Sequence, residues 1–121
     1  MIYLHNKPSW MFPKFDAFTI MNHIFIDPKF MNNKALIEHE KTHVKQFKQD
    51  WLFPIKYLFS EKMRYKYELE AYIVQLRIIR SSDIDLDQWI VNITELLFSG
   101  YRLHKPKTDI SNDLRSALRG M

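Results

Sequence analysis

The sequence predicts an α+β domain in which a small antiparallel β-sheet or hairpin packs on a mainly helical body, one helix of which carries an HExxH motif. Three observations predict it. The run Phe15 to Asp27, FDAFTIMNHIFID, is rich in β-branched and aromatic residues. Beyond it, apolar residues recur at spacings of three and four along most of the chain. Breakers at Pro28, Pro54, Gly100 and Pro106 cut that pattern into segments of helix length. With 121 residues, 46% of them apolar, the chain reads as one domain over residues 1–121 able to bury a modest core.

Each element has its own local reason. Residues 1–14 contain Pro8, Pro13 and scattered aromatics, and read as irregular chain docked on the body. The stretch Phe15 to Asp27 reads as strand, with Asn22-His23 in its middle leaving open one strand or a tight hairpin. Asp27-Pro28 closes it, because a residue before proline is pushed away from helical angles. Asn32 or Asn33 can cap a helix over Ala35 to Asp50, whose Leu36, Glu40, His43, Val44 and Phe47 share one face. Pro54 separates it from a short aromatic element around 55–59, and Ser60 and Glu61 open a second long helix to about Arg80. The loop Ser81 to Asp85 ends in a cap for a third helix, Leu86 to Phe98, stopped by Gly100. Tyr101 to Lys107 reads as loop, and a last helix, capped by Asp109 or Ser111, covers Ile110 to Arg119.

Composition removes several kinds of chemistry. No cysteine is present, so disulfides, thiolate metal sites and thiol nucleophiles are excluded, and any transition metal must sit on histidine and carboxylate. The start, MIYLHNKPSWMFPK, lacks a basic segment followed by an apolar run, and the greasiest stretch, Trp51 to Phe59, is too short for a bilayer and is broken by Pro54 and Lys56. The expectation is a soluble, cytoplasmic protein without a transmembrane segment. The net charge of +4 is spread from Lys7 to Arg119 without a dense run, which marks solubilising charge more readily than a nucleic-acid partner. Lys41, Lys45 and Lys48 likewise read as a solvated helix face.

The chemistry lies in Leu36 to Gln46, LIEHEKTHVKQ. Residues four apart on a helix lie one above the other, about 6 Å apart at the side-chain root, so His39 and His43 converge on one point. That separation lets two imidazole nitrogens each reach about 2.0–2.1 Å from one zinc ion, with Glu40 beside it and free to act as a general base. Zinc lowers the pKa of its water toward about 7, and an adjacent carboxylate can take the proton and hand it to a leaving amine. Two histidines leave zinc underbound, so a third ligand is needed. Glu68 and Glu70 on the second long helix point to different sides and only one can serve; Glu68 shares its side with Tyr72, Gln75 and Ile79, Glu70 with Val74 and Arg77. Periodicity favours Glu68 only slightly.

HEKTH on one helix followed by ELEA on the next resembles the gluzincin group of zinc metallopeptidases. The resemblance covers about residues 17 to 80, and the LIEHE and YELEAY phrases are similar more narrowly to small stand-alone, phage-type predicted metallopeptidases. It implies that His39, His43 and Glu68 hold one zinc ion (Zn2+), that Glu40 is the catalytic base, and that Ala71 lets the two helices approach. It also implies a strand, here Ala17 to Asp27, whose edge aligns a peptide or protein substrate by strand addition. In larger gluzincins an aspartate four residues beyond the glutamate orients a ligand histidine. Tyr72 stands there, so that orienting group must come from elsewhere.

No motif names the donor that stabilises the oxyanion; Tyr101, Arg102 and His104 after the third helix are candidates, as are Tyr65 and Tyr72 beside Glu68. His5 and His23 read as satisfied or solvated histidines rather than ligands. Trp51 to Phe59 reads as a hydrophobic plug beneath the site, or else as a surface that docks on lipid or a partner. The expected activity is zinc-dependent hydrolysis of peptide bonds. The alternative is a catalytically weak zinc-bearing structural or binding protein, for example a virion component.

Overall fold

A computed structural model of the chain describes residues 1–13, 15–80, 85–101 and 103–119. Three short strands, β1 (Tyr3–Asn6), β2 (Ala17–Ile20) and β3 (His23–Ile26), precede five helices: α1 (Lys34–Gln49), α2 (Phe53–Phe59), α3 (Glu61–Arg80), α4 (Leu86–Gly100) and α5 (Lys107–Arg119). The fold is α+β. Of the two readings left open for Phe15 to Asp27, the hairpin is realised. β2 and β3 pair antiparallel from Ala17 opposite Ile26 to Ile20 opposite His23. Met21 opens the two-residue turn at φ 55°, the left-handed position at which glycine is usual.

The first residues are not irregular throughout. Tyr3–Asn6 joins the far side of β3 in parallel register, tied by Tyr3 N–H to the Asn22 carbonyl (2.9 Å) and Lys7 N–H to the Ile26 carbonyl (2.8 Å). The sheet is therefore mixed, in the order β1-β3-β2. Four residues are too few for a period-two signal, and what holds β1 in place is a partner edge more than a dozen residues away, which local patterning does not reveal. Ile24 and Ile26 are fully buried on the inner face, while His23 and Phe25 stack with Tyr3, His5 and Phe18 on the outer one.

Position in the sheet matters for the site. β2 is an edge strand, and the bond from Asp27 N–H to the Asp16 carbonyl (2.8 Å) sets the alternation of its ladder. Residues 18 and 20 thus exchange bonds with β3, whereas the backbone groups of Ala17 and Thr19 turn to the outer edge.

Asn33 caps α1, its Oδ1 accepting from Leu36 N–H at 3.1 Å. The buried face of that helix includes Val44, as expected, but most of it is polar: His39, Glu40, Thr42, His43 and Gln46. Pro54 does not separate α2 from what precedes; it sits in its first turn, where a missing N–H costs nothing. Ser60 heads α3, its Oγ accepting from Met63 N–H. Asp85 caps α4, and Gly100 is its last helical residue, where an added Cβ would lie 3.1 Å from Leu96 Cδ1. α5 begins three residues earlier than expected, because Asp109 and Ile110 N–H both reach back to the Pro106 carbonyl; Asp109 is then a first-turn residue and neither it nor Ser111 is the cap. Residues 81–84 of the expected loop lie outside the described residues. Among the described residues, no helix is long and apolar enough to cross a membrane.

The apolar core joins Tyr72 and Leu76 of α3 to Ile90, Ile93 and Leu97 of α4, Leu103, and Ile110, Leu114 and Leu118 of α5. The C-terminal third therefore braces one side of α3, leaving its other side to α1. Leu114→Ala, at a site with no exposure, should cost about 2–5 kcal/mol and lower the melting temperature. A loss under about 1 kcal/mol in denaturant titration would show that α5 does not belong to this core.

Candidate metal centre

One turn of α1 separates His39 from His43 and places their ring centroids 5.0 Å apart, nearly perpendicular. α3 packs on this face, buries Ala71 completely, and presents Glu68, only 3% exposed. Candidate ligand atoms of His39, His43 and Glu68 all lie within 4.8 Å of one another. Glu68 Oε1 is 3.4 Å from His39 Nε2 and 3.1 Å from His43 Nε2. Glu70 is exposed on the far side of α3, so of the two carboxylates the fold brings only Glu68 to the histidines.

The proton positions follow from the neighbours. Gln46 donates its Nε2 to the Tyr67 carbonyl at 3.0 Å, an acceptor only, which turns its Oε1 toward His43 Nδ1 at 2.9 Å. Nδ1 must then carry a hydrogen, and His43 Nε2 faces the Glu68 carboxylate. A lone pair aimed at a carboxylate oxygen is repulsive, so the space between them calls for a cation, either a proton on Nε2 or a metal ion shared by both groups. Without a metal the proton fills that role. Burial by itself pulls the His43 imidazole down, but the Glu68 carboxylate, with smaller help from Glu40 and Gln46, pushes it up to about 9. Burial would raise the Glu68 carboxyl, yet His43 and the hydrogen bonds from both histidines hold it well below the usual carboxylate range. Tyr57 of α2 donates to Glu68 Oε2 at 2.5 Å, leaving Oε1 for the histidines; burial and the Glu68 charge push its hydroxyl far up, so it keeps its proton.

Glu40 is buried beside this group, its Oε2 3.6 Å from His39 Nε2. Its other oxygen, Oε1, accepts from Thr19 Oγ1 of β2 at 2.9 Å. The carboxylate is thus aimed by the same edge strand whose backbone is open. Two imidazoles and one carboxylate, buried and converging, form a nitrogen and oxygen donor set that suits zinc. Left without a counter-ion or metal, such groups would each cost several kcal/mol in burial.

A groove of about 390 Å³ runs over the site. Its floor is His39, Glu40, His43 and Glu68; one wall is β2 and its turn, the other Phe53, Pro54, Tyr57 and Leu58 of α2. Tyr101 reaches the groove, its hydroxyl 2.8 Å from that of Tyr72. Burial, first, and then the Glu68 charge push both hydroxyls well above their ordinary value, so both stay protonated. His104 does not line it: exposed, it bonds to Glu61 at the start of α3. Tyr65 donates to Asp113 of α5 at 2.6 Å, Arg102 lies outside the described residues, and His5 and His23 pair with each other on the outer sheet face. The stretch Trp51 to Phe59 is a plug only in part. Phe53 and Tyr57 pack toward His43, while Trp51 and Phe59 are 77% and 83% exposed.

Thr19, Gln46 and Tyr57 went unassigned in the sequence. Gln46 had a signal, three residues after His43 on the same helical face. Thr19 and Tyr57 had none, since each reaches the site from another element. Compared with known proteins, the chain matches no family model, no curated protein and no solved structure.

A pH dependence follows from these shifts. His43, raised, stabilises the metal-free fold fully below its ordinary 6.5, and that contribution fades as pH rises through about 9. Glu68, lowered, contributes above its ordinary 4.5, and that contribution is lost as pH falls below it. The melting temperature of the metal-free protein should therefore be highest between about 4.5 and 6.5 and fall toward 9, and Glu68→Gln should flatten the alkaline limb. An alkaline limb equally steep in that variant would contradict the pairing.

Proposed function

We propose that the chain is a zinc-dependent peptidase of the gluzincin kind that hydrolyses peptide bonds. The observation that carries this reading is the meeting of His39, His43 and Glu68 within 4.8 Å, with the Glu40 carboxylate held alongside by Thr19. His39 Nε2, His43 Nε2 and Glu68 Oε1 would hold the ion. When bound, zinc would supply the Lewis acidity that makes water nucleophilic near neutral pH and polarises a carbonyl oxygen.

The remaining work falls to the chain's own groups. Glu40 Oε2 accepts a proton from water as the water oxygen bonds to the carbonyl carbon, then delivers it to the amide nitrogen as the carbon–nitrogen bond breaks; the second water proton stays with the new acid, giving a carboxylic acid and an amine. Ala17 and Thr19 turn backbone donors and acceptors, unpaired among the described residues, to the groove wall, so an extended peptide can add as a further strand. Tyr101, protonated and backed by Tyr72, is the donor placed to stabilise a developing oxyanion. Among the described residues, no lysine or arginine lines the groove.

Purified protein should hold one zinc per chain. Glu40→Gln should keep the zinc and lose about 10²–10⁴ in peptide-hydrolysis rate, measured on a broad peptide library. If wild type and Glu40→Gln both hold zinc and neither cleaves, the chain is a zinc-bearing structural or binding protein, such as a virion component. Tyr101→Phe should lower kcat about 10²–10³-fold with little change in KM, whereas His104→Ala should leave both unchanged. A reversed order would move the oxyanion donor away from Tyr101.

A further inference from the structure

We propose that the apolar rim of the groove is a membrane-docking surface, which seats on the interface of an anionic lipid bilayer with the groove mouth toward the lipid. The composition of α2 carries this. Phe53 and Tyr57, four residues apart, turn inward to His43. The opposite side holds Ile55, Leu58 and Phe59, which are 56%, 58% and 83% exposed. Lys56 is the only charged residue of the helix, and the Tyr57 hydroxyl is engaged by Glu68. A helix that turns one side to water is normally polar on that side, whereas one that is apolar all round has something apolar against both. Trp51, just ahead of the helix, adds to the exposed side. The surface also spans the groove: Leu58 lines one wall, and Phe12, Ile20 and Met21, all exposed, line the other. A contiguous exposed patch of this kind marks an interaction site.

Charge selects the occupant. Basic residues are spread along the sequence, but their excess is not: residues 45–66 hold six Lys and Arg against two Asp and Glu, a net +4 that equals the charge of the whole chain. Both acids are engaged, Asp50 by Lys56 at 2.5 Å and Glu61 by His104. Lys48, three residues before Trp51, and Lys62, three after Phe59, are exposed and bracket the apolar side. Aromatic and aliphatic tips flanked by lysine suit the boundary between acyl chains and anionic headgroups, where the two attractions add. A second copy of the chain suits the surface less, because in a two-fold contact the patch meets itself and brings two clusters of like charge together.

The test is co-sedimentation of the purified protein with vesicles of phosphatidylcholine alone and of phosphatidylcholine mixed with phosphatidylglycerol. The protein should bind the mixed vesicles, be released by high salt, and show a blue shift of tryptophan emission as Trp51 leaves water. Ile55→Ser combined with Phe59→Ser should weaken binding at least about tenfold, and Lys48→Gln combined with Lys62→Gln about 10–30-fold. Val91→Ser, at an exposed apolar position on α4, should leave it unchanged. Mixed vesicles that leave the protein in solution would overturn the proposal, as would binding that the Ile55 and Phe59 changes do not weaken. A concentration-dependent dimer that those changes dissolve would give the surface to a second copy and overturn it too. Should that variant fail to fold, brominated lipid should quench wild-type emission more than that of Trp51→Phe; equal quenching would overturn the docking. Zinc is not needed for docking, so a chain that binds vesicles yet holds no zinc keeps this proposal and loses the proposed function.

Discussion

The structure turns on one carboxylate placed between two imidazoles in the dry interface of two helices. Glu68 Oε1 lies 3.1 and 3.4 Å from the facing nitrogens of His43 and His39, and a positive charge is required among them. Around that requirement the neighbouring side chains make sense. Tyr57 occupies the second oxygen of Glu68, Gln46 sets the hydrogen of His43, and Thr19 holds Glu40. Keeping so many polar groups out of water is expensive unless the cluster is satisfied as a whole.

The rest of the fold supplies leverage. α3 is fixed on one side by the apolar contacts of Leu76 with α4 and α5, which leaves its opposite face free to be polar. α2 is a short arm that swings Tyr57 over Glu68 and walls the groove. The three-stranded sheet does two things: Ile24 and Ile26 bury its inner face, and its edge strand brings an open backbone and the Thr19 hydroxyl to the same rim. Fold and site are not separable here, because five of the seven fully buried residues on the helix that carries two of the three candidate ligands are polar, and only Ala35 and Val44 are apolar.

Much of this was legible in the residues. Four-residue spacing placed His39 and His43 together, periodicity found the long helices α1, α3 and α4, and the resemblance to gluzincins selected Glu68, which the crossing of α1 and α3 brings to the histidines. What was not legible depends on distance in sequence. β1 pairs in parallel with a strand about twenty residues on, and its four residues carry no pattern of their own. Prolines at 54 and 106 looked like breaks but open helices, a distinction that rests on which turn the proline occupies. Thr19 and Tyr57 are ordinary residues in ordinary segments until the helices and sheet set them around one point.

The measurement closest to the central claim is an anomalous-difference map, at the zinc edge, of crystals grown with added zinc. The account predicts a single strong peak about 2.0–2.2 Å from His39 Nε2, His43 Nε2 and a Glu68 oxygen, with Glu40 alongside but not bonded to it. A map with no density there, in ordered crystals where Glu68 stays paired to a protonated His43, would contradict it.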